Sequence, residues 1–356
     1  MIFIVNFFLI ALYGLVYSEA RNKYGECRIL LFILLTVASI QMILLVGLRA
    51  TDVGIDTYSY FIRYYEYKEM SFERIFMDTL QEHGYSLLIK VVSMIWDNFD
   101  FFKVIVAILS VVPIVYTVGK CSDKPFLSIL IFISFGYYSF MFSGMRQGIS
   151  FALCILSFLT IKNKKPVLFV LLVLLAAQFH KSAYLFLPAY LVASIKLNKY
   201  TVIGLIILYL MVIVFKWRLY NLIEGTLYDN QNHSYAANET GAFMILVRQI
   251  VIAAALVFLA PKDTRDTDYG RYTMLVSVGA ILTIFATIGG NAQRAANYYC
   301  MFLILGIPEL LWHLESVFLK RTVSVCVVVG VLAMFIYGVI TDGYNIMTYG
   351  CTLFGQ

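Results

Sequence analysis

The chain has 356 residues, of which 61% are hydrophobic and only 13% are charged, and its mean hydropathy is +0.83. Soluble globular proteins are roughly 45–50% apolar, so this composition excludes a soluble enzyme and predicts an all-α polytopic membrane protein. The formal net charge of +6 does not indicate a nucleic-acid partner, because the basic residues lie in short loops between apolar segments.

Apolar segments recur along the whole chain and predict about twelve transmembrane helices in a single polytopic membrane domain, residues 1–356. The segments are 2–17, 29–48, 100–118, 126–142, 147–161, 166–179, 183–195, 200–215, 243–260, 272–288, 297–312 and 323–340. A further apolar stretch, 84–96, is too short for a full span, and we expect an interfacial or re-entrant helix there. The six cysteines show neither CxxC nor Cys/His spacing, so we expect no metal site, no disulfide framework and no cofactor.

The distribution of basic residues predicts which side of the membrane each loop faces. Lys and Arg are several times denser in one alternating set of loops, which are 18–28, 119–125, 162–166, 196–199, 261–271 and 313–322. The positive-inside rule places this set in the cytoplasm. The opposite set then lies outside, and we expect its two longest members, 49–98 and 216–242, to contribute to a functional site in an outward-facing cavity.

The first outer loop opens with the most distinctive polar cluster of the chain, Leu48-Arg49-Ala50-Thr51-Asp52-Val53-Gly54-Ile55-Asp56-Thr57-Tyr58-Ser59-Tyr60-Phe61. Aromatic faces stack on sugar rings and carboxylates bind sugar hydroxyls, so we expect Asp52, Tyr58 and Tyr60 to contact a sugar. The alternative is a solvated loop with a glycine turn, followed by an aromatic belt at the membrane interface.

Further polar groups lie in the predicted outer loops, namely Glu82-His83-Gly84-Tyr85, Met145-Arg146-Gln147-Gly148, His180-Lys181-Ser182 and Arg294 within Gly289–Tyr299. Each has a structural alternative: a helix N-terminus, an arginine that snorkels to the interface, a hairpin turn, or a loop arginine. Arginine binds pyrophosphate in a bidentate manner. We therefore expect a pyrophosphate site formed by Arg49, Arg146, Lys181 and Arg294, with Gln147 and Tyr85 on the sugar side.

Four of these blocks resemble motifs of the EpsG/Wzy-type exopolysaccharide and O-antigen polymerase family. They are Leu48-Arg49…Val53-Gly54-Ile55-Asp56-Thr57…Tyr60, Glu82-His83-Gly84-Tyr85-Ser86-Leu87-Leu88, Met145-Arg146-Gln147-Gly148-Ile149 and His180-Lys181-Ser182-Ala183. The first block is the most specific, and His83 departs from the family, which often has Pro there. Since the C-terminal half carries no distinct motif, the assignment of Arg294 to the pyrophosphate site rests on its chemistry alone.

The resemblance implies a glycosyltransferase on the periplasmic, outer face of the bacterial inner membrane. Its substrate would be an oligosaccharide repeat unit linked to undecaprenyl pyrophosphate, held among membrane lipid, and the growing glycan would pass to a new lipid-linked unit. Flippase and chain-length regulator proteins of exopolysaccharide or capsule biosynthesis would be its partners. We expect a metal-independent reaction in which Asp56, Glu82 or His180 is the general base.

Two other functions stay open at this level. A flippase or other transporter of lipid-linked oligosaccharides should place charges along its central spans, whereas the polar residues here concentrate at one face. An O-antigen ligase-like transferase would use the same donor and similar cations, and the sequence does not separate it from a polymerase.

Overall fold

A computed structural model describes residues 1–78, 81–227, 239–259 and 267–351. Within these ranges the elements are helices, and a single antiparallel bridge joins Arg49 to Cys351. The α-helices are α1 (Ile2–Tyr24), α2 (Arg28–Gly47), α3 (Thr57–Glu69), α4 (Phe72–Met77), α5 (His83–Ile95), α6 (Phe99–Cys121), α7 (Pro125–Ser134), α8 (Tyr137–Phe140), α9 (Met145–Lys162), α10 (Pro166–Ala177), α11 (Ala189–Ser194), α12 (Lys199–Leu227), α13 (Glu239–Phe258), α14 (Asp268–Leu282), α15 (Gly290–Cys300), α16 (Leu303–His313) and α17 (Val317–Thr341). Two 3₁₀ helices cover Lys181–Phe186 and Thr283–Thr287.

Nine helical stretches in the described part of the chain are long and apolar enough to cross a bilayer, which confirms the all-α polytopic class. They are Ile2–Tyr24, Arg28–Gly47, Phe99–Cys121, Met145–Lys162, Lys199–Asn221, Gly241–Phe258, Asp268–Thr287, Ala292–His313 and Val317–Thr341. The apolar helices α5, α7 and α10 have 13, 10 and 12 residues. At 1.5 Å per residue each is roughly 15–20 Å long, shorter than the roughly 30 Å hydrocarbon layer. The short helix expected near 84–96 is α5, and the count of about twelve crossings stays a prediction.

The structure interrupts two of the predicted spans and shortens a predicted loop. Gly136 has a φ of 82° and separates α7 from α8, and Pro188 precedes α11, so the segment 183–195 is a 3₁₀ helix followed by a short α-helix. The predicted outer loop 216–242 is helical at both flanks, because no proline interrupts residues 216–227. Residues 228–238 of that loop lie outside the described residues.

The chain forms two compact units, the first made of Met1–Tyr184 and Thr322–Gln356 and the second of Leu185–Arg321. In the first unit α6 packs against both α2 and α9, and α9 packs against α10. At the end of α2, a Cβ built on Gly47 would lie 2.9 Å from the Cα of Val104. This close approach fixes the position at which the chain leaves α2 and enters the first polar loop.

A buried aromatic core holds α3 and α5 against the start of α6. The Tyr85 ring lies 5.7 Å from the rings of both Tyr60 and Phe102, and Tyr64 lies 5.3 Å from Phe102. Each aromatic side chain buries roughly 150–250 Å², which at about 25 cal/mol per Å² amounts to several kcal/mol. This core fixes the loop helices of residues 57–95 on the membrane helices of the first unit.

The second unit is arranged around α14, which packs against α11, α13, α15 and α16. A Cβ built on Gly279 of α14 would lie 2.8 Å from the backbone nitrogen of Cys300, so α14 and the end of α15 are in close contact. The Tyr269 hydroxyl donates a hydrogen bond to the carbonyl of Leu256 in α13. Arg294 lies on α15 within this unit. Whether residues 1–356 form a single membrane domain stays a prediction.

Candidate functional site

The loop between α2 and α3 folds back onto the start of α9. Gly54 has a φ of 91°, and a side chain there would collide with the carbonyl oxygen of Phe142. The backbone N–H of Ile55 donates to the Ser143 hydroxyl at 2.9 Å, and the Thr57 hydroxyl donates to the Val53 carbonyl at 2.6 Å. Glycine is required here because an L side chain fits neither the backbone conformation nor the space. These contacts fix the loop that carries Arg49.

Arg49 is fully buried at the start of this loop. Its Nε donates to the Thr57 hydroxyl at 3.3 Å and its Nη1 to the Val46 carbonyl, while its guanidinium carbon lies 5.9 Å from the centre of the Phe142 ring. Its Nη2 is also buried and has no hydrogen-bond partner among the described residues. Burial lowers the pKa of Arg49 to about 10, so the side chain is still cationic at neutral pH. Its predicted role in binding pyrophosphate stays a prediction.

Three polar blocks that are distant in sequence meet at Glu82. Glu82 directly precedes α5, and one of its carboxylate oxygens lies 2.5 Å from Nη1 of Arg146, in the first turn of α9. The other oxygen accepts a hydrogen bond from the backbone N–H of Lys181 at 3.2 Å. Alongside, the N–H of Gly84 donates to the carbonyl of Gln178 at 3.0 Å. The structure therefore brings together residues of the second, third and fourth blocks, and we call Glu82, Arg146, His180 and Lys181 the Glu82 cluster.

The electrostatics of the Glu82 cluster keep its carboxylate ionised. Burial by itself would raise the pKa of Glu82, but Arg146 and then His180 outweigh burial and lower the pKa below its ordinary value. His180 Nδ1 lies 2.6 Å from the hydroxyl of Ser182, which orients the ring. Glu82 is therefore an anion at neutral pH, held between a guanidinium group and a backbone N–H.

Tyr60 and Tyr85 link the Glu82 cluster to the Arg49 loop. The guanidinium carbon of Arg146 lies 6.0 Å from the centre of the Tyr60 ring, and the Tyr85 hydroxyl donates to the sulfur of Met145 at 3.9 Å. Burial raises the pKa of Tyr85, while Arg146 and Arg49 both act in the opposite direction. The Tyr85 hydroxyl thus lies in the electrostatic field of both arginines, so the first block joins the other three.

The remaining predicted residues of the first unit differ in their exposure. Asp52 and Lys181 are exposed, and Asp56 is half-buried at the position just before α3. Tyr58 is 62% exposed and stacks on Phe61 at 6.1 Å. Three of the predicted sugar-binding residues are buried, namely Tyr60, Tyr85 and Gln147. Of the five residues predicted to bind sugar, only Asp52 and Tyr58 have exposed side chains. The roles of all five in sugar binding stay predictions.

The predicted outward-facing cavity stays a prediction. A cavity of about 400 Å³ is lined by Glu66, Glu69, Met70 and Arg74, at the C-terminal end of α3 and in α4. Across the described ranges, no three His, Cys, Asp or Glu side chains lie close enough together to hold a metal ion. Metal independence stays a prediction.

Arg294 belongs to the second unit, whereas the other predicted site residues belong to the first. Arg294 is half-buried on α15. The contacts of the first unit therefore do not test whether Arg294 binds pyrophosphate, and this role stays a prediction.

Sequence reasoning missed one basic residue next to Arg49. Lys103 of α6 is fully buried, lies 2.8 Å from the Asp100 carboxylate and donates to the backbone carbonyl of Arg49. The sequence did carry a signal for Lys103. Asp100 and Lys103 lie three residues apart near the start of an apolar helix, and such residues face the same side of the helix. The C-terminal segment 342–351, which also contacts this loop, carried no such signal.

These features define a multi-pass α-helical membrane protein in which a polar cluster is held between the ends of membrane helices and short loop helices. The chain belongs to the EpsG family, whose family model matches residues 31–351. The match runs from α2 to the bridge residue Cys351, so the resemblance seen in the four blocks is confirmed. Membership indicates a membrane protein of the polysaccharide-polymerase type. No curated protein and no solved structure matches the chain.

Proposed function

We propose that this protein is a glycosyltransferase that polymerises oligosaccharide repeat units carried on undecaprenyl pyrophosphate. It transfers the growing glycan from its lipid carrier to a new lipid-linked unit on the outer face of the bacterial inner membrane. The observation that carries the proposal is the convergence of the four blocks, in which Glu82 joins Arg146 to Lys181 and Arg146 lies over the ring of Tyr60 from the first block.

In this reaction the cations bind the leaving group. When the bond between the anomeric carbon and the pyrophosphate oxygen breaks, negative charge grows on the pyrophosphate, and fixed cations stabilise that charge. Arg146 suits this role because Glu82 fixes one edge of its guanidinium while its Nε has no hydrogen-bond partner among the described residues. The exposed Lys181 and the buried Arg49 complete the set in the first unit, while the role of Arg294, in the second unit, stays a prediction.

The acceptor needs a base, and Asp56 is our first candidate. The base takes the proton of the acceptor hydroxyl while that oxygen attacks the anomeric carbon and the lipid pyrophosphate leaves. Glu82 is committed to Arg146 and to the Lys181 N–H, and its lowered pKa makes it a weaker base. Asp56 is half-buried just before α3, seven residues beyond Arg49 in the sequence. His180, which is paired with Ser182, is the alternative.

The test is chain growth by the purified protein in proteoliposomes supplied with a synthetic lipid-linked repeat unit. We expect a ladder of glycan lengths, because each transfer adds one unit. The variants Arg49→Lys and Arg146→Lys should lose the ladder at normal protein levels, since lysine cannot form the bidentate contact. Arg28→Lys is the matched control, because Arg28 is exposed and pairs only with Glu26 among the described residues.

The outcome separates the proposed enzyme from its rivals. Movement of the lipid-linked unit across the vesicle bilayer without any ladder would identify a transporter. A single transfer to an added lipid-linked acceptor of another type would identify a ligase. A full ladder from both lysine variants would remove the role proposed for the two arginines.

A further inference from the structure

The segment after α17 lies over the loop that carries Arg49. The N–H of Ala50 donates to the carbonyl of Gly350 at 2.9 Å, and the N–H of Gly54 donates to the carbonyl of Asn345 at 3.2 Å. The Asn345 amide donates in turn to the carbonyl of Asp52 at 2.9 Å. With the bridge between Arg49 and Cys351, contacts run along the loop from Arg49 to Gly54, and we call residues 342–351 the cover.

The cover has a fixed conformation of its own. The Asp342 carboxylate accepts from the N–H groups of Ile346 and Met347 at 2.6 and 3.0 Å. The Tyr349 hydroxyl donates to the carbonyl of Leu45 in α2 at 3.1 Å. Ile346 is buried under the cover with only 2% of its surface exposed. The cover is thus a built turn that is fastened at both ends.

Two buried cations, Arg49 and Lys103, lie in contact with this cover or with the loop beneath it. Among the described residues, the carboxylate that pairs with them is that of Asp100. Arg49 and Lys103 are both fully buried, and Lys103 pairs with Asp100. Arg49 is held by a hydroxyl and a carbonyl, and its Nη2 is left without a hydrogen-bond partner among the described residues. Burying a charge that lacks a counter-charge is energetically unfavourable. A bound oxyanion would supply both the missing hydrogen-bond acceptor and the missing charge.

We propose that Arg49 and Lys103 form a binding site for a phosphate-type oxyanion and that the cover, residues 342–351, closes this site. Arg49 has no exposed surface and is bridged to Cys351 of the cover, so we expect an anion to enter when the cover lifts. The identity of the natural ligand as a lipid pyrophosphate rests on the proposed function. The site and its cover follow from the contacts of the first unit alone.

The first experiment measures whether the cover lifts when an anion binds. A cysteine at Ile346, in a protein without its native cysteines, of which Cys326 and Cys351 are exposed, reports opening through its rate of reaction with an impermeant thiol reagent. A cysteine at the exposed Thr348 is the matched control. Because a ligand shifts the equilibrium toward the state that binds it, inorganic pyrophosphate or farnesyl pyrophosphate should raise the rate at position 346 several-fold and leave that at position 348 unchanged.

Each outcome of this labelling experiment supports or overturns the proposal. Acceleration by inorganic pyrophosphate supports an oxyanion site, and acceleration by farnesyl pyrophosphate alone supports a site for a lipid-linked oxyanion. Arg49→Gln should abolish either effect, since it removes the charge and the bidentate donor. Equal or lower rates in the presence of both probes, or an acceleration that persists in Arg49→Gln, would overturn the proposal.

The second experiment locks the cover. A Cβ built on Gly350 would lie 3.2 Å from the Cβ of Ala50, which a shift of a few tenths of an ångström brings to the roughly 3.5–4.5 Å of a disulfide. The double variant Ala50→Cys and Gly350→Cys, again without the native cysteines, should lose glycan chain growth on oxidation and regain it on reduction. The two single-cysteine variants are the controls for oxidation.

The two experiments fail in different ways. If the oxidised double variant extends glycans as fast as its reduced form, the cover does not gate the site. If the reduced double variant is already inactive, the labelling experiment alone tests whether the cover gates the anion site. If the unmodified protein produces no ladder, the proposed polymerase function fails, while acceleration by inorganic pyrophosphate still tests the anion site.

Discussion

At the scale of single residues, the ion pair between Glu82 and Arg146 is the contact that holds the Glu82 cluster together. Its side chains are 11% and 23% exposed, so each is largely removed from water. Removing one partner of a fully buried pair costs roughly 3–5 kcal/mol because a charge is left unpaired. For this less buried pair we expect about 1–3 kcal/mol from Glu82→Gln or from Arg146→Gln.

A double-mutant cycle measures this interaction. The variant with both glutamines should be less destabilised than the sum of the two single variants, because no charge is left without its partner. The measurement is the thermal unfolding midpoint of each purified protein in the same detergent. Additive effects would show that the two side chains do not interact in the folded protein.

The pH dependence of this pair follows from the lowered pKa of Glu82. A carboxyl group whose pKa is lower in the folded state stabilises the protein above its unfolded pKa, and this contribution is lost as the pH falls through the folded value. The ordinary value is 4.5, so the stability difference between the wild type and Glu82→Gln should be constant from neutral pH down to that value and shrink below it. A change between pH 7 and pH 5 would show that another group controls the pair.

The choice of base is the second question at this scale. Asp56→Asn keeps the shape of the side chain and removes its basicity, so we expect loss of chain growth while binding of the lipid-linked unit persists. Glu82→Gln should weaken donor binding instead, because it releases Arg146. The readouts are initial transfer rate and substrate binding, measured separately.

His180→Gln is the comparison for this prediction. If it is inactive while Asp56→Asn extends glycans normally, the base is His180. If all three variants remain active, the base lies elsewhere in the chain.

At the scale of elements, the turn at Gly54 decides where the first polar loop lies. Alanine there would adopt an unfavourable left-handed conformation and would also collide with the carbonyl of Phe142. Gly25 is the matched control, since its φ is 80° and a Cβ there meets nothing within 4 Å. The backbone conformation alone costs roughly 1–2 kcal/mol.

We therefore expect Gly25→Ala to lower the unfolding midpoint slightly and to retain chain growth. Gly54→Ala should be more destabilised and should lose chain growth, because the loop that carries Arg49 must move. Expression, unfolding midpoint and transfer rate are the measurements. Equal effects of the two substitutions would mean that the contact with Phe142 does not position the loop.

The apolar segments predicted the helices well, but not where they break. Hydrophobic runs located the long helices of both units, since a span needs about 20 apolar residues. The breaks at Gly136 and before α11 lie inside apolar runs, so hydropathy does not mark them. Gly136 and Pro188 were the local signals.

At the scale of the whole molecule, the dense basic loops predict sidedness, and this prediction is testable at two exposed positions. In a protein without native cysteines, a cysteine at Ser59 should react with an impermeant thiol reagent added outside, whereas one at Lys164 should react only after the membrane is permeabilised. Both residues are exposed in the structure. External labelling at position 164 would reverse the orientation and remove the outer-face site.

The sequence by itself determined the class, the family and all four residues of the Glu82 cluster, because hydropathy and local motifs are properties of short segments. Only the tertiary structure decided which of these segments meet. Glu82, Arg146 and Lys181 are joined by packing of α5 against the ends of α9 and α10, and no local pattern records such contacts. The same is true of Lys103 and the cover over Arg49. The 300 or so residues that separate Arg49 from the cover are brought to one place by helix packing, which depends on side chains far from either segment.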